Sequence, residues 1–148
     1  MKLCNEVITI FNARCTDGDD VYYPTTINGA SWFETQAETV DPKGGLVMAN
    51  KVTVRIPEDA KATQSETANN VTTIKPATYT DPISYKSAAS VSGKWTLCGG
   101  TIIIKGEATG TSWTPASLKA TFAGCMTVLG VTDNRRAPNA PHFKVVGA

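Results

Sequence analysis

The chain has 148 residues, the size of one ordinary domain of roughly 100–200 residues and too short for two cores and a linker. Hydrophobic residues make up 41% and charged residues 18%, against roughly 25% charged in an average soluble protein. Thr, Ser, Ala and Gly replace the missing charge, and that mix favours strands over helical bundles. Fourteen basic and 13 acidic residues leave a formal net charge of +1, which argues against coating nucleic acid and leaves room only for a local basic patch.

No run approaches the ~20 apolar residues of a membrane span. The apolar run Val7-Ile8-Thr9-Ile10-Phe11 is shorter than the roughly 7–15 residues of a signal-peptide core, so the protein is expected to be made and kept in a cytoplasm. Cys4, Cys15, Cys98 and Cys125 are widely spaced, with no Cys-x-x-Cys pair. An even count allows two disulfides in a secreted chain; without a signal, reduced thiols packed as small apolar residues are expected.

Val7 to Phe11 is β-branched and aromatic and reads as the first strand. Asp17-Gly18, ahead of Val21-Tyr22-Tyr23-Pro24, predicts a tight hairpin, because a type I′ turn needs φ > 0 at both central positions. Pro24 is expected to close the second strand or to lie on a sheet edge. Thr26-Ile27-Asn28-Gly29 predicts another turn, Ala30 to Thr35 a third strand, and Asp41-Pro42-Lys43-Gly44-Gly45 a loop. Lys51-Val52-Thr53-Val54-Arg55-Ile56 alternates strictly, as a strand with one buried and one wet face does, and Pro57 ends it.

From 58 to 93 the character changes to Ala, Thr, Ser, Asn and Lys with no sustained apolar period. This reads as a long polar loop with Thr72-Thr73-Ile74 as its one short strand, and such loops are functional or disordered. Strand character returns at Lys94-Trp95-Thr96-Leu97 and at Ile102-Ile103-Ile104, a continuous run suited to cover on both faces. One helix follows: Thr114 as N-cap, Pro115 at the first position, Leu118 and Phe122 on one face, Trp113 as a staple onto Leu118, and Gly124 beyond its end. Met126 to Val131 and His142 to Val146 are the last strands. The expectation is a single mainly-β domain over residues 1–148, a small β-barrel or barrel-like sandwich with one short helix.

His142 is the single histidine, and no spacing supports a zinc site built from it and the cysteines, nor does an activating motif surround any cysteine. Asp17-Gly18-Asp19-Asp20 has the wrong register for a calcium loop, and Gly99-Gly100 lacks the Lys-Ser/Thr that opens a phosphate-loop helix. Glu58, Asp59 and Glu66 fall in the polar stretch, a poor frame for paired carboxylates. Arg135-Arg136 forms a local cation pair suited to a carboxylate or phosphate fork, or else an exposed turn. Trp32, Phe33, Trp95, Trp113, Phe122 and Phe143 are core candidates. No catalytic residue, metal or cofactor is expected, and the chain reads as a non-enzyme.

Three blocks carry a resemblance: Asn5-Glu6-Val7-Ile8-Thr9-Ile10-Phe11-Asn12; Asn50-Lys51-Val52-Thr53-Val54-Arg55-Ile56-Pro57; and the distal set Val91 to Leu97, Thr101 to Gly106, Val128 to Arg136 and Pro141 to Gly147. Together they resemble the minor structural proteins of tailed phages and prophages of Gram-positive bacteria, and are similar to head-to-tail connector proteins of the stopper (head-completion) type. Gly100-Thr101 departs from the family's Gly-Asp at a turn. The resemblance implies a β-barrel subunit of a homo-oligomeric ring in the virion neck, made in the bacterial host cytoplasm. Such a ring sits below the portal and adaptor, closes the DNA-filled head and offers a platform for tail proteins, while double-stranded DNA passes without sequence-specific binding and no membrane is involved.

The 58–93 loop is the matching candidate for a channel gate, with Lys61, Thr63, Asn69, Asn70, Thr72, Thr73 and Lys75 as its channel-loop residues. Tyr79, Tyr85, Asp133, Asn134, Arg135, Arg136, His142 and Phe143 are the candidates for a subunit or partner interface. A tail-terminator or another ring of the same connector is the near alternative. A β-sandwich carbohydrate-binding or adhesion module, with Trp95, Trp113 and Tyr79 as a sugar platform, is the distant one.

Overall fold

The structure is a computed structural model that describes residues 4–16, 18–40 and 46–148, with side chains described at 4–14, 18–35 and 51–148. The elements are β1 (Glu6–Thr16), β2 (Asp19–Val40), β3 (Leu46–Pro57), β4 (Lys61–Ala68), β5 (Val71–Pro76), β6 (Thr78–Tyr79), α1 (Pro82–Ser87), β7 (Lys94–Trp95), β8 (Ile102–Lys105), α2 (Pro115–Thr121), β9 (Cys125–Asn134) and β10 (His142–Gly147). Six strands pair antiparallel in the cyclic order β1-β8-β9-β10-β3-β2, and β2 returns to β1, so the sheet closes on itself as a barrel. Closure removes the free edges of those strands. β4 and β5 are appended outside the ring, on β2.

The hairpin predicted at Asp17-Gly18 is present: Thr16 stands opposite Asp19, and Gly18 takes φ +85. The turn predicted at Asn28-Gly29 is instead a corner within one strand of 22 residues. Gly29 takes φ +94, and the register shifts where Glu6 and Val7 face Ala30 and Asn28. A glycine in that conformation bends a strand without ending it. Before the corner β2 pairs with β1; after it, residues 31–40 pair with β3. Pro24 lies opposite Phe11, where among the described residues β2 has β1 as its sole strand neighbour, in keeping with the edge position expected of a proline. The loop predicted at residues 41–45 lies outside the described residues.

Two clusters make the core. Val52, Val54 and Ile56 of β3 point into the barrel as their alternation predicts, against Phe143 and Val145 of β10, Met126 and Val128 of β9, Ile103 of β8, and Ile8 and Ile10 of β1. Ile102 and Ile104 face the other way, joining Phe11 and Leu118 in a second cluster beneath α2. The Ile102–Ile104 run is therefore covered on both faces. α2 is capped as expected: Thr114 Oγ1 accepts from the Ser117 N–H at 3.2 Å, and Ser117 Oγ accepts from the Thr114 N–H at 2.9 Å. A helix of 7 residues does not stand alone in water. Leu118, with Trp113 and Phe122 packed beside it, holds α2 to the second cluster.

The segment from 58 to 93 is not a structureless loop. β4 and β5 form a hairpin whose turn is Asn69-Asn70, with φ 53 and 62, the paired left-handed conformation of a type I′ turn. α1 follows, capped by Asp81, whose Oδ1 accepts from the Ser84 N–H at 3.0 Å, and β6 and β7 form a parallel pair. Thr72 to Ile74, the one strand expected here, lies within β5.

Gly147 sits where β9 slips register against β10, and a Cβ on it would collide with the Thr127 carbonyl oxygen and the Met126 side chain. A Cβ on Gly99 meets nothing within 4 Å. Gly147→Ala is expected to lower stability by about 1–3 kcal/mol, and Gly99→Ala to stay within about 0.5 kcal/mol, read from urea unfolding midpoints at constant m.

Candidate interaction surfaces

Two hairpin arms leave the barrel. In the first, β2 and β3 continue pairing from Gln36 opposite Asn50 to Val40 opposite Leu46, past the part of β3 that β10 covers, which is residues 52–57. Five further pairs at about 3.3 Å per residue extend roughly 16 Å. Phe33 lies at the root of this arm and is 60% exposed, contrary to its expected core place. Neighbouring strand residues point to opposite faces, and Trp32, opposite Val54, takes the inward position that Phe33, opposite Thr53, then cannot.

The second arm is the β4–β5 hairpin. It is rooted on β2 by Thr63, Ala62 and Lys61 opposite Thr26, Ile27 and Asn28. Among the described residues β5 has β4 as its sole neighbour. All six residues of β5 are exposed, including Ile74 at 70% and Val71, so its outer backbone groups form an open edge. The seven channel-loop candidates all fall on this hairpin: Lys61 and Thr63 at its root, Asn69 and Asn70 at its tip, and Thr72, Thr73 and Lys75 on β5.

The base of this arm is tied down. Gln64 Nε2 donates to Thr25 Oγ1 at 2.9 Å and to the Lys94 carbonyl at 2.8 Å, while its Oε1 accepts from the Gly93 N–H at 2.8 Å. Glu66 pairs with Lys75 at 2.6 Å and accepts from the Ser92 hydroxyl. Hydrogen bonding to Lys75, then to Ser92, holds the Glu66 carboxyl below its usual range. The base of a segment that the sequence presents as a polar loop is thus pinned by side-chain bonds to β2 and to residues 92–94. Nearer the tip, the side-chain bonds run between the two strands, as from Thr67 to Thr72 at 3.1 Å.

At one end of the barrel an aromatic cluster carries an arginine. Tyr79, Trp95 and Phe143 pack with ring centroids 4.6 to 6.1 Å apart. The Arg135 guanidinium lies 5.0 Å from the Tyr79 ring centre and 4.7 Å from that of Phe143. Asp133 fixes it: Oδ1 accepts from Arg135 Nε at 3.0 Å and Oδ2 from Nη2 at 2.9 Å. These bonds hold the Asp133 carboxyl below its usual range, whereas burial pushes the Tyr79 hydroxyl up. Sequence spacing does not reveal this cap, because its parts come from β6, β7, the end of β9 and β10.

Of the interface candidates, Tyr79, Asp133, Arg135 and Phe143 thus meet, but inside one chain. Phe143, 4% exposed, is a core residue. Tyr85, 2% exposed, is also buried, because α1 lays it against the barrel wall. Both are corrected as interface candidates. His142 is half-exposed; its Nδ1–H donates to the Ala140 carbonyl at 2.8 Å, leaving Nε2 to accept from Asn134 at 3.4 Å. Arg136 is exposed in the turn after β9. The sugar platform does not assemble: Trp95 is 5% exposed in the barrel core with Tyr79 against it, while Trp113 packs on Phe11 and Phe122 in the other cluster.

Among the described residues no three of His, Cys, Asp and Glu converge as a metal-holding group, and no helix is long and apolar enough to cross a membrane. Burial pushes the Cys125 thiol up, away from a reactive thiolate. What the surface offers is edges and arms on a closed antiparallel barrel. The chain belongs to DUF6751, a family of unknown function whose model matches residues 3–148. No curated protein and no solved structure matches it.

Arg135→Gln is expected to return the Asp133 carboxyl toward its ordinary range in a carbon-detected NMR pH titration. Because its native value is lowered, Asp133 contributes stability that is present above its unfolded value near pH 4 and lost as pH falls through the native one. The exposed pair is worth at most about 1 kcal/mol, and the variant should lose that much less on acidification. At the alkaline end, burial pushes Tyr85 up to about 12 from 10.0. Its contribution is full below pH 10 and lost as pH rises toward 12. The Tyr85 hydroxyl is also buried without a hydrogen-bond partner, a state that costs about 1–3 kcal/mol. Tyr85→Phe is therefore expected to hold or raise the neutral-pH unfolding midpoint and to flatten the alkaline loss; a midpoint clearly lowered at pH 7 contradicts this.

Proposed function

We propose that this chain is a structural subunit of a tailed-phage neck, of the stopper type: a ring of identical copies between portal or adaptor and tail that closes the filled head and seats the tail. The observation that carries this reading is the β4–β5 arm, a hairpin with an open outer edge and with Val71 and Ile74 exposed on it. On a lone subunit such an edge is a template for indiscriminate pairing, whereas a closed ring of like copies buries it. The resemblance of the three sequence blocks to connector proteins supports the same reading.

The gate assigned to the polar excursion narrows to this hairpin, since residues 77–79 and Tyr85 belong to the barrel body. Its chemistry suits a channel crossed by DNA. Of the seven candidates only Lys61 and Lys75 carry charge, and Glu66 neutralises Lys75. With a net charge of +1 on the whole chain, a passing duplex finds little to bind. Movement of the arm requires release of the Gln64 and Glu66 ties at its base.

The test is to replace residues 66–73 by an Asn-Gly turn joining Ser65 to Ile74, which already stand opposite each other. The expected protein is folded, with an unchanged near-UV spectrum, still enters virion necks as a ring under the electron microscope, and yields heads that leak DNA. Full, stable heads with the trimmed arm refute the gate, and absence of the chain from purified virions refutes the neck assignment.

A further inference from the structure

Beside the barrel, between β1, α1 and the turn from Cys98 to Thr101, lies a cleft of about 650 Å³, within the usual size range of ligand sites. Arg14, Lys86, Gly99 and Gly100 line it, with Asp20 as its one carboxylate among the described residues. A second cleft of about 420 Å³, reaching Tyr23 and Gln64, also has Arg14 in its wall. The larger cleft lies apart from both arms, whereas the smaller shares Gln64, Glu66 and Ser92 with the base of the β4–β5 arm.

Arg14 is half-buried, and its one recorded bond runs from Nη2 to the Ala88 carbonyl at the end of α1. The recorded ion pairs among the described residues are Lys75–Glu66, Lys105–Glu6 and Arg135–Asp133, so neither Arg14 nor Lys86 has a carboxylate against it there. A guanidinium presents five donors in a planar fork that matches the two oxygens of a carboxylate or phosphate. Most of that fork is unspent. The Cys98–Thr101 turn is braced by Thr101 N–H donating to the Cys98 carbonyl at 3.2 Å and Gly100 N–H donating to the Val128 carbonyl of β9 at 3.1 Å, and among the described residues the Gly99 amide has no partner. Tyr85, the buried hydroxyl with no hydrogen-bond partner, lies within electrostatic reach of Arg14, Tyr23 and Cys98, residues of both cleft walls.

From this arrangement we infer that Arg14 and Lys86, with Gly99 in the wall of the same cleft, form an oxyanion site that takes a carboxylate or a phosphate group. Arg14 supplies the forked bonds and Lys86 a mobile second charge. Among the described residues Asp20 leaves the cleft with a local charge of only +1, which suits a compact anion and disfavours a polyanionic strand. The site is independent of the connector reading, since nothing in it depends on the arms.

Two sources share this chemistry, a free oxyanion and a carboxylate from a second copy of the chain, and one set of measurements separates them. The full chain, labelled with nitrogen-15, is titrated with inorganic phosphate at constant ionic strength held by chloride. Saturable shifts at the Arg14 side chain and the Gly99 amide are expected. Arg14→Gln should abolish them. Lys86→Gln, an exposed position outside any core cluster, should weaken binding about tenfold while leaving the fold intact; it keeps the test decisive if Arg14→Gln disturbs α1. If the second-copy carboxylate is the occupant, sedimentation shows self-association that phosphate competes and both variants reduce. Shifts that never saturate, or that persist unchanged in Lys86→Gln, with self-association indifferent to both variants, overturn the site.

Discussion

Closure of this barrel depends on one strand having two sets of partners. β2 must hold β1 along its first half and β3 along its second, and six strands form a ring only if it turns a corner between them. Gly29, at φ +94 opposite a register shift in β1, provides that corner. Both arms follow from it. The first is β2 itself, running on past the barrel with β3, and the second is rooted on residues 26–28 immediately before the corner. A side chain at Gly29 in that conformation is strained whatever space surrounds it, so one backbone torsion links the closed core to the exposed edges.

The rest of the body is held by nonlocal clasps on short elements that could not persist alone. Asn12, itself buried, donates to the Thr96 carbonyl at 2.7 Å and accepts from the Thr96 N–H at 3.1 Å, doing for the chain after β7 what a neighbouring strand would do. Thr9 reaches the Gly106 carbonyl in the same manner, at 2.8 Å. Buried polar groups of this kind are stable because each is paired, and they fix the path of segments with little apolar area of their own. Arg135 does a related task at the barrel end, where its planar cation covers two rings that water would otherwise reach.

The arms obey a different rule. β4 and β5 are rich in Thr, with the apolar Val71 and Ile74 left exposed and no residue of either strand fully buried, so their stability comes from the Asn69-Asn70 turn, cross-strand pairs and the ties of Gln64 and Glu66. A two-stranded hairpin that buries so little of itself would be marginal alone, and its ties to the barrel hold it in place. The aromatic groups are placed the opposite way, spent almost wholly on the two core clusters, and for that reason a stacking or sugar-binding surface does not form.

Local patterns in the sequence sufficed for β1, the Asp17-Gly18 hairpin, the alternating face of β3, the doubly covered Ile102–Ile104 run and the capped helix α2. Each is encoded by spacing within a few residues, through side-chain period, turn conformation or cap. The mainly-β barrel class followed from them. The β4–β5 hairpin escaped because a strand wet on both faces has no hydrophobic period to read. The outward turn of Phe33, the burial of Tyr85 and Phe143, and the meeting of Arg135 with Tyr79 escaped for another reason. They are set by which strands become neighbours around a closed ring, and that choice is made by contacts between residues tens of positions apart, through the corner at Gly29.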